Sequence, residues 1–188
     1  MLRITNNMTT STLSTLTSLR VLFPLILLLS AMAIYLNRQK QAATEPPKPI
    51  AVLVTVLLGI YLIIYLYLTF GFRRPSDRPI LMLRPFWSYR EAIQFNPLKI
   101  RRLGLARQIL LNILLTIPAG LLLPILYRTR HPYLHTALTI LLLSLLTEVF
   151  QYLTRLGFTE TDDLINNLLG GLLGMGILRV GSIRRKQV

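Results

Sequence analysis

The sequence predicts an all-α fold: a polytopic membrane helix bundle of about five transmembrane helices, with an interfacial loop between helices two and three. Three observations predict it. Of 188 residues, 53% are hydrophobic and only 15% charged, too few ionised groups to clothe a water-facing surface. Stretches such as residues 121–126 and 137–147 carry no charge, and most basic residues flank such runs. The runs approach the ~20 residues a helix needs to cross ~30 Å of hydrocarbon, and they are too long for strands.

The charge is lopsided, with 21 Lys and Arg against 7 Asp and Glu for a net +14. A soluble nucleic-acid binder would spread those cations over a hydrated domain, so nucleic acid is excluded as a partner. Cysteine is absent, which removes disulfides, thiolate metal sites and a cysteine nucleophile.

Each element follows in order. Residues 21–36 form the first span, between Arg20 and the Arg38/Lys40 pair. Ala31-Met32-Ala33 resembles a signal-peptidase site, but the apolar run continues through Ile34, Tyr35 and Leu36, which favours a retained anchor. A polar, proline-rich linker (37–49) closes an N-terminal unit, 1–49. The second span, 50–72, crowds Tyr61, Tyr65, Tyr67, Phe70 and Phe72 into its far half, where rings suit a headgroup boundary. Residues 73–104 mix Arg73, Arg74, Arg78, Arg84, Arg90, Lys99, Arg101 and Arg102 with Phe86, Trp87, Tyr89 and Phe95, the composition of a segment lying at lipid headgroups. The alternative is a solvated basic loop. The remaining spans are 105–127, 133–153 and 164–180, joined by a tight turn at 127–132 and a short acidic one at 154–163. A membrane domain of 50–180 and a basic tail of 181–188 result. Positive charges fall on both sides, so orientation stays open, with a slight preference for the long loop outside the cell.

Polar groups inside membrane helices are expensive, and their positions are the best functional evidence in the sequence. Ser144, Glu148, Gln151 and Arg155 form one stripe on the fourth helix. Asp163, Asn167, Gly170 or Gly171 and Gly174 form another on the fifth, and Asn112, Thr116, Ala119 and Gly120 a third on the third helix. The three stripes face one another most simply around a shared interior. Gly170 and Gly174 make a GxxxG packing pair. Pro118 frees the carbonyl of Leu114 and bends its helix, with Asn112, Gln151 and Asn167 as candidate donors to that carbonyl. His131 and His135 lack metal-ligand spacing. A two-carboxylate metal site at Asp162 and Asp163 stays open, but no further ligand is in view and no metal or cofactor is assigned.

Three stretches carry a family likeness. They are Pro85-Phe86-Trp87-Ser88-Tyr89-Arg90, the run Asn112 to Gly120 with Thr116 and Pro118, and Ser144-x-x-x-Glu148-x-x-Gln151 followed by Asp162-Asp163-x-x-x-Asn167-x-x-Gly170. Over about residues 50 to 178 the chain resembles the VanZ-like family of bacterial membrane proteins, named for a teicoplanin-resistance protein. Met82-Leu83 departs from the family's usual Asn-Leu, and Glu160 stands where an acidic residue precedes the paired aspartates. The resemblance implies a multi-pass protein of the cell membrane and, as for the namesake, lowered sensitivity to teicoplanin-type lipoglycopeptides.

The expected function is a non-enzymatic accessory factor of the bacterial envelope. It would bind an anionic, lipid-linked or polymer envelope ligand, or the glycopeptide itself, through Glu148, Gln151, Asp162, Asp163, Asn167, Asn112, Arg84 and Arg90, with membrane lipids as surroundings. No nucleophile–base pair is evident, so no catalytic residue is assigned. The alternatives are a membrane enzyme acting on a lipid-linked phosphate, with Arg84 and Arg90 holding the phosphate, and a small proton-coupled transporter or flippase in which Glu148 titrates.

Overall fold

The structure, a computed structural model, describes residues 48–71, 73, 75–93, 99–127 and 129–185. The expected first span at 21–36 and its linker lie outside the described residues. In chain order come α1 (Lys48–Phe70), β1 (Ile80–Met82), α2 (Trp87–Ile93), α3 (Lys99–Leu126), α4 (Pro132–Thr154), β2 (Phe158–Glu160) and α5 (Thr161–Arg185). Four helices are long and apolar enough to cross a membrane, over Pro49–Phe70, Leu103–Leu126, Pro132–Thr154 and Thr161–Ser182. The molecule is an all-α membrane bundle. Leucines, isoleucines and valines such as Val52, Leu53, Val56, Ile60 and Ile63 lie exposed along α1, as a lipid-facing surface requires.

Helices outrun their apolar stretches. α3 begins at Lys99 rather than 105, because backbone hydrogen bonds continue through the charged Lys99-Ile100-Arg101-Arg102 turn regardless of side-chain polarity. α5 begins at Thr161 rather than 164, with Asp162 and Asp163 in its first turn, where a helix dipole favours negative charge. The expected acidic turn at 154–163 therefore contains a strand and a helix start. β2 pairs in parallel with β1, Ile80 opposite Phe158 and Met82 opposite Glu160. Arg155, assigned to the polar stripe of the fourth helix, instead follows it as a left-handed cap at φ 58° and is exposed. Its guanidinium donates to the carbonyl of Asp77 at 3.1 Å.

Of the α1 rings, Tyr61, Tyr65 and Phe70 are buried in the bundle and Tyr67 is exposed. Phe70 meets Phe150 edge-on at 5.1 Å, and the Tyr65 hydroxyl pairs with that of Thr147 at 3.1 Å. Turned inward, the Tyr65 hydroxyl keeps a partner that hydrocarbon cannot supply, whereas that of Tyr61 is buried without one.

The most extensive helix contact is α3 against α5. Lipid removes the hydrophobic drive between helices, so close approach through small residues carries the packing. A Cβ on Gly170 would strike the carbonyl of Ile113 and the Thr116 hydroxyl, one on Gly174 the carbonyl of Ile117, and one on Gly120 the carbonyl of Gly171. The helix runs on through Pro118 and Pro124. Gly174→Leu is expected to wedge the two helices apart and lower stability by about 1–3 kcal/mol, read as a reduced unfolding temperature in detergent. Gly176→Ala, with nothing within 4 Å of the added carbon, is expected to unfold no earlier than the parent.

Candidate functional site

The chain directions bring the ends of α1 and α4 and the starts of α3 and α5 to one end of the bundle, beside β1, β2 and α2. There the first turns of α5 divide their polar residues by helical spacing. Asp162 and Asn166 face the segment before α3, Asp163 and Asn167 face the interior, and Gly170 and Gly174 meet α3.

Asp162 is fully buried, at 0% exposure, and its carboxylate is already occupied. It accepts from the amide of Phe86 at 2.5 Å and from the amide and hydroxyl of Ser88 at 2.8 and 2.5 Å. The Tyr89 hydroxyl donates to the Asn166 side-chain oxygen one turn further on. Phe86 adopts a left-handed φ of 61°, uncommon for a bulky residue, and this turn directs its amide onto the carboxylate. Pro85 to Arg90 and Asp162 to Asn166 thus form one latch that fastens the 80–93 segment to α5.

Asp163 turns the other way, into a cleft of about 870 Å³. Its Oδ1 accepts from the amide of Asn112 at 2.6 Å and from that of Gln108 at 3.4 Å. Gln108 also donates to Oε2 of Glu160 at 3.1 Å, and the backbone amide of Glu160 donates to Oε2 of Glu148 at 2.7 Å. Asn167 donates to the Ser144 hydroxyl at 2.8 Å. Gln151, with its amide turned to satisfy both ends, donates to the carbonyl of Phe158 at 3.2 Å and accepts from the guanidinium of Arg73 at 3.3 Å. The amides expected to serve the carbonyl of Leu114 thus have other partners. Arg73 lies against Gly157, whose φ of 108° suits glycine and whose missing Cβ leaves room for the guanidinium.

The structure therefore gathers Glu148, Gln151, Asp163, Asn167 and Asn112 in one cleft and adds Glu160. It sends Asp162 to the latch, which separates the two aspartates considered together as a metal site. Arg84 and Arg90 are exposed and do not line the cleft; the cations that do are Arg73 and Arg107. Among the described residues, no group of three or more His, Cys, Asp or Glu side chains is placed to hold a metal ion. Sequence reasoning missed Gln108, although it extends the Asn112–Thr116 stripe by one turn. Arg73 carried no distinguishing signal among its basic neighbours.

Glu160 lies outside the membrane-spanning segments, and its carboxyl is pushed up from 4.5 to about 7. Burial is the main cause and the neighbouring Asp163 charge the next, opposed by the Gln108 hydrogen bond and by Arg73. A buried group of this kind among carboxylates, amides and guanidinium groups can bind and orient a polar ligand.

These features define a class: a multi-pass membrane protein with a polar cleft and a latched segment at one end of its helix bundle. The chain belongs to the VanZ/LLP1 family, whose family model matches residues 52–182. It is similar to the Protein VanZ of Enterococcus faecium, 29% identical over 119 residues, which cover 63% of this chain and 69% of that protein. No solved structure matches it.

Two outcomes follow from this geometry. Asp162→Ala strands the Phe86 and Ser88 donors and is expected to cost about 1–3 kcal/mol, with faster hydrogen exchange at those two amides. The folded protein keeps a proton on Glu160 up to about pH 7, whereas an unfolded chain releases it near 4.5. Folding takes up that proton in between, so stability falls as pH rises through this window. Glu160→Gln is expected to flatten that part of a plot of unfolding temperature against pH.

Proposed function

We propose that this chain is a cell-membrane accessory protein of the bacterial envelope that lowers sensitivity to teicoplanin-type lipoglycopeptides by binding an envelope ligand in the cleft. One observation carries the reading. Glu148, Glu160 and Asp163 converge with Arg73 and a ring of amides at one end of a membrane bundle, in a chain of the VanZ/LLP1 family. Packing alone does not call for three carboxylates so near hydrocarbon, where each is costly. Family membership and the likeness to Protein VanZ supply the link to glycopeptides.

Non-covalent binding fits the residues better than catalysis does. The Asp163 oxygen is held by two side-chain amides, Oε2 of Glu148 is held by a backbone amide, and among the described residues neither carboxylate is hydrogen-bonded to a serine or threonine hydroxyl as a base would be. In a susceptible bacterium that expresses the chain, Glu148→Ala, Asp163→Ala and Arg73→Ala are each expected to abolish protection against teicoplanin at unchanged membrane abundance. Broth-dilution susceptibility with an immunoblot of the membrane fraction reads this. Full protection in Glu148→Ala and Asp163→Ala would overturn the assignment.

A further inference from the structure

The cleft has two kinds of wall. Its floor is polar, formed by Glu148, Glu160, Asp163 and Asn167 with Arg73 beside them. Its mouth is apolar: Leu68 of α1 and Leu111 and Leu114 of α3 line it and are themselves about half exposed on the lipid-facing surface. A cavity that is polar within and open sideways between two membrane helices suits an amphipathic occupant arriving from the bilayer rather than a solute arriving from water.

The side-chain amides of the floor are already engaged, and Arg73 is turned toward Gln151. Gln108, Asn112 and the amide of Glu160 are already given to Asp163, Glu160 and Glu148. Oε1 of Glu160, a residue 1% exposed, and Oδ1 of Asn167, a residue 6% exposed, remain buried without a hydrogen-bond partner. Both residues line the cleft, and both atoms accept once Glu160 is ionised, above about pH 7. Buried acceptors left unmatched are rare and call for a donor, and three carboxylates close by favour one that carries positive charge. At the mouth Arg107, exposed and lining the same cleft, offers a cation to a phosphate.

We propose that the cleft seats the head group of a membrane lipid bearing a primary ammonium beside its phosphate, the ammonium directed to Glu148, Glu160, Asp163 and Asn167 and the phosphate to Arg107, with an acyl chain leaving past Leu68, Leu111 and Leu114. This deepens the preceding reading, on which it rests, by naming the ligand class. The chemistry is specific about nitrogen substitution. A primary ammonium brings three N–H groups to the unmatched oxygens. A quaternary one brings the same charge and none.

The test uses the full chain purified in detergent and offered an equimolar mixture of dioleoyl-phosphatidylethanolamine, its N-methyl and N,N-dimethyl derivatives, dioleoyl-phosphatidylcholine and dioleoyl-phosphatidylglycerol, with bound lipid read by native mass spectrometry. The expected result is a preference of about tenfold for the primary amine over phosphatidylcholine, falling stepwise with each methyl. Glu148→Gln and Asp163→Asn are expected to bring the series close to parity, while Arg179→Ala, exposed on the later part of α5, leaves it unchanged. A flat methylation series in the parent overturns the proposal without reference to any variant. So does retention of the lipids equal to that of soluble phosphoethanolamine, which would place the ammonium site in reach of water and not of the bilayer. Because the measurement reads lipid and not antibiotic, its failure leaves the susceptibility of Glu148→Ala and Asp163→Ala strains to decide the function separately.

Discussion

The contact of α3 with α5 at backbone distance is the constraint on which the rest depends. Glycines at 120, 170 and 174 remove the carbon atoms that would hold the helices apart. Only at such a separation can Asn112 on one helix reach the carboxylate of Asp163 on the other at 2.6 Å. A wider spacing would leave the carboxylate without its amide. The packing seam and the polar cleft are therefore successive stretches of the same two helices, one dry and the other polar.

The second organising feature is the division of labour between adjacent aspartates. Asp162 is saturated by the Phe86 and Ser88 donors and works as an anchor, while Asp163 is held by amides and faces the cleft. Asp162 offers a ligand no free oxygen, since its oxygens are occupied and shut from solvent, although its charge is still felt by Glu160. Arg73 links the two halves. It comes from the segment just after α1, reaches over Gly157 and meets Gln151, so the turn after α4 is shaped around it.

Much of this was legible in the sequence, and the limits are physical. Apolar length located the four described spans to within a few residues at most ends, because the bilayer imposes that length. Helical spacing correctly put Ser144, Glu148 and Gln151 on one face, and Asn112, Asp163 and Asn167 on facing ones. Spacing has no depth, however. It could not tell that Tyr61 and Tyr65 are buried within the bundle, or that Arg155 falls one residue past the end of its helix. It also could not choose among many arginines of one loop. Arg73 was selected by a glycine far along the chain, and that is a tertiary fact with no local trace.

The parallel pairing of β1 with β2 closes a ring through α3 and α4. During synthesis, then, α4 emerges with Glu148 before its acceptor oxygen can meet the amide of Glu160, and before Asp163 or Asn167 exists to share its surroundings. An isolated α4 is a poor candidate for the hydrocarbon interior, and α5, with two aspartates at its leading end, is no better alone. The hairpin of α4 and α5 partners Glu148 within itself, whereas Asp163 and Glu160 take their donors from Gln108 and Asn112, so α3, α4 and α5 together are the smallest unit in which these three acids are hydrogen-bonded. The segment from β1 to α2, made much earlier, gains the carboxylate that fastens it only once Asp162 of α5 is made.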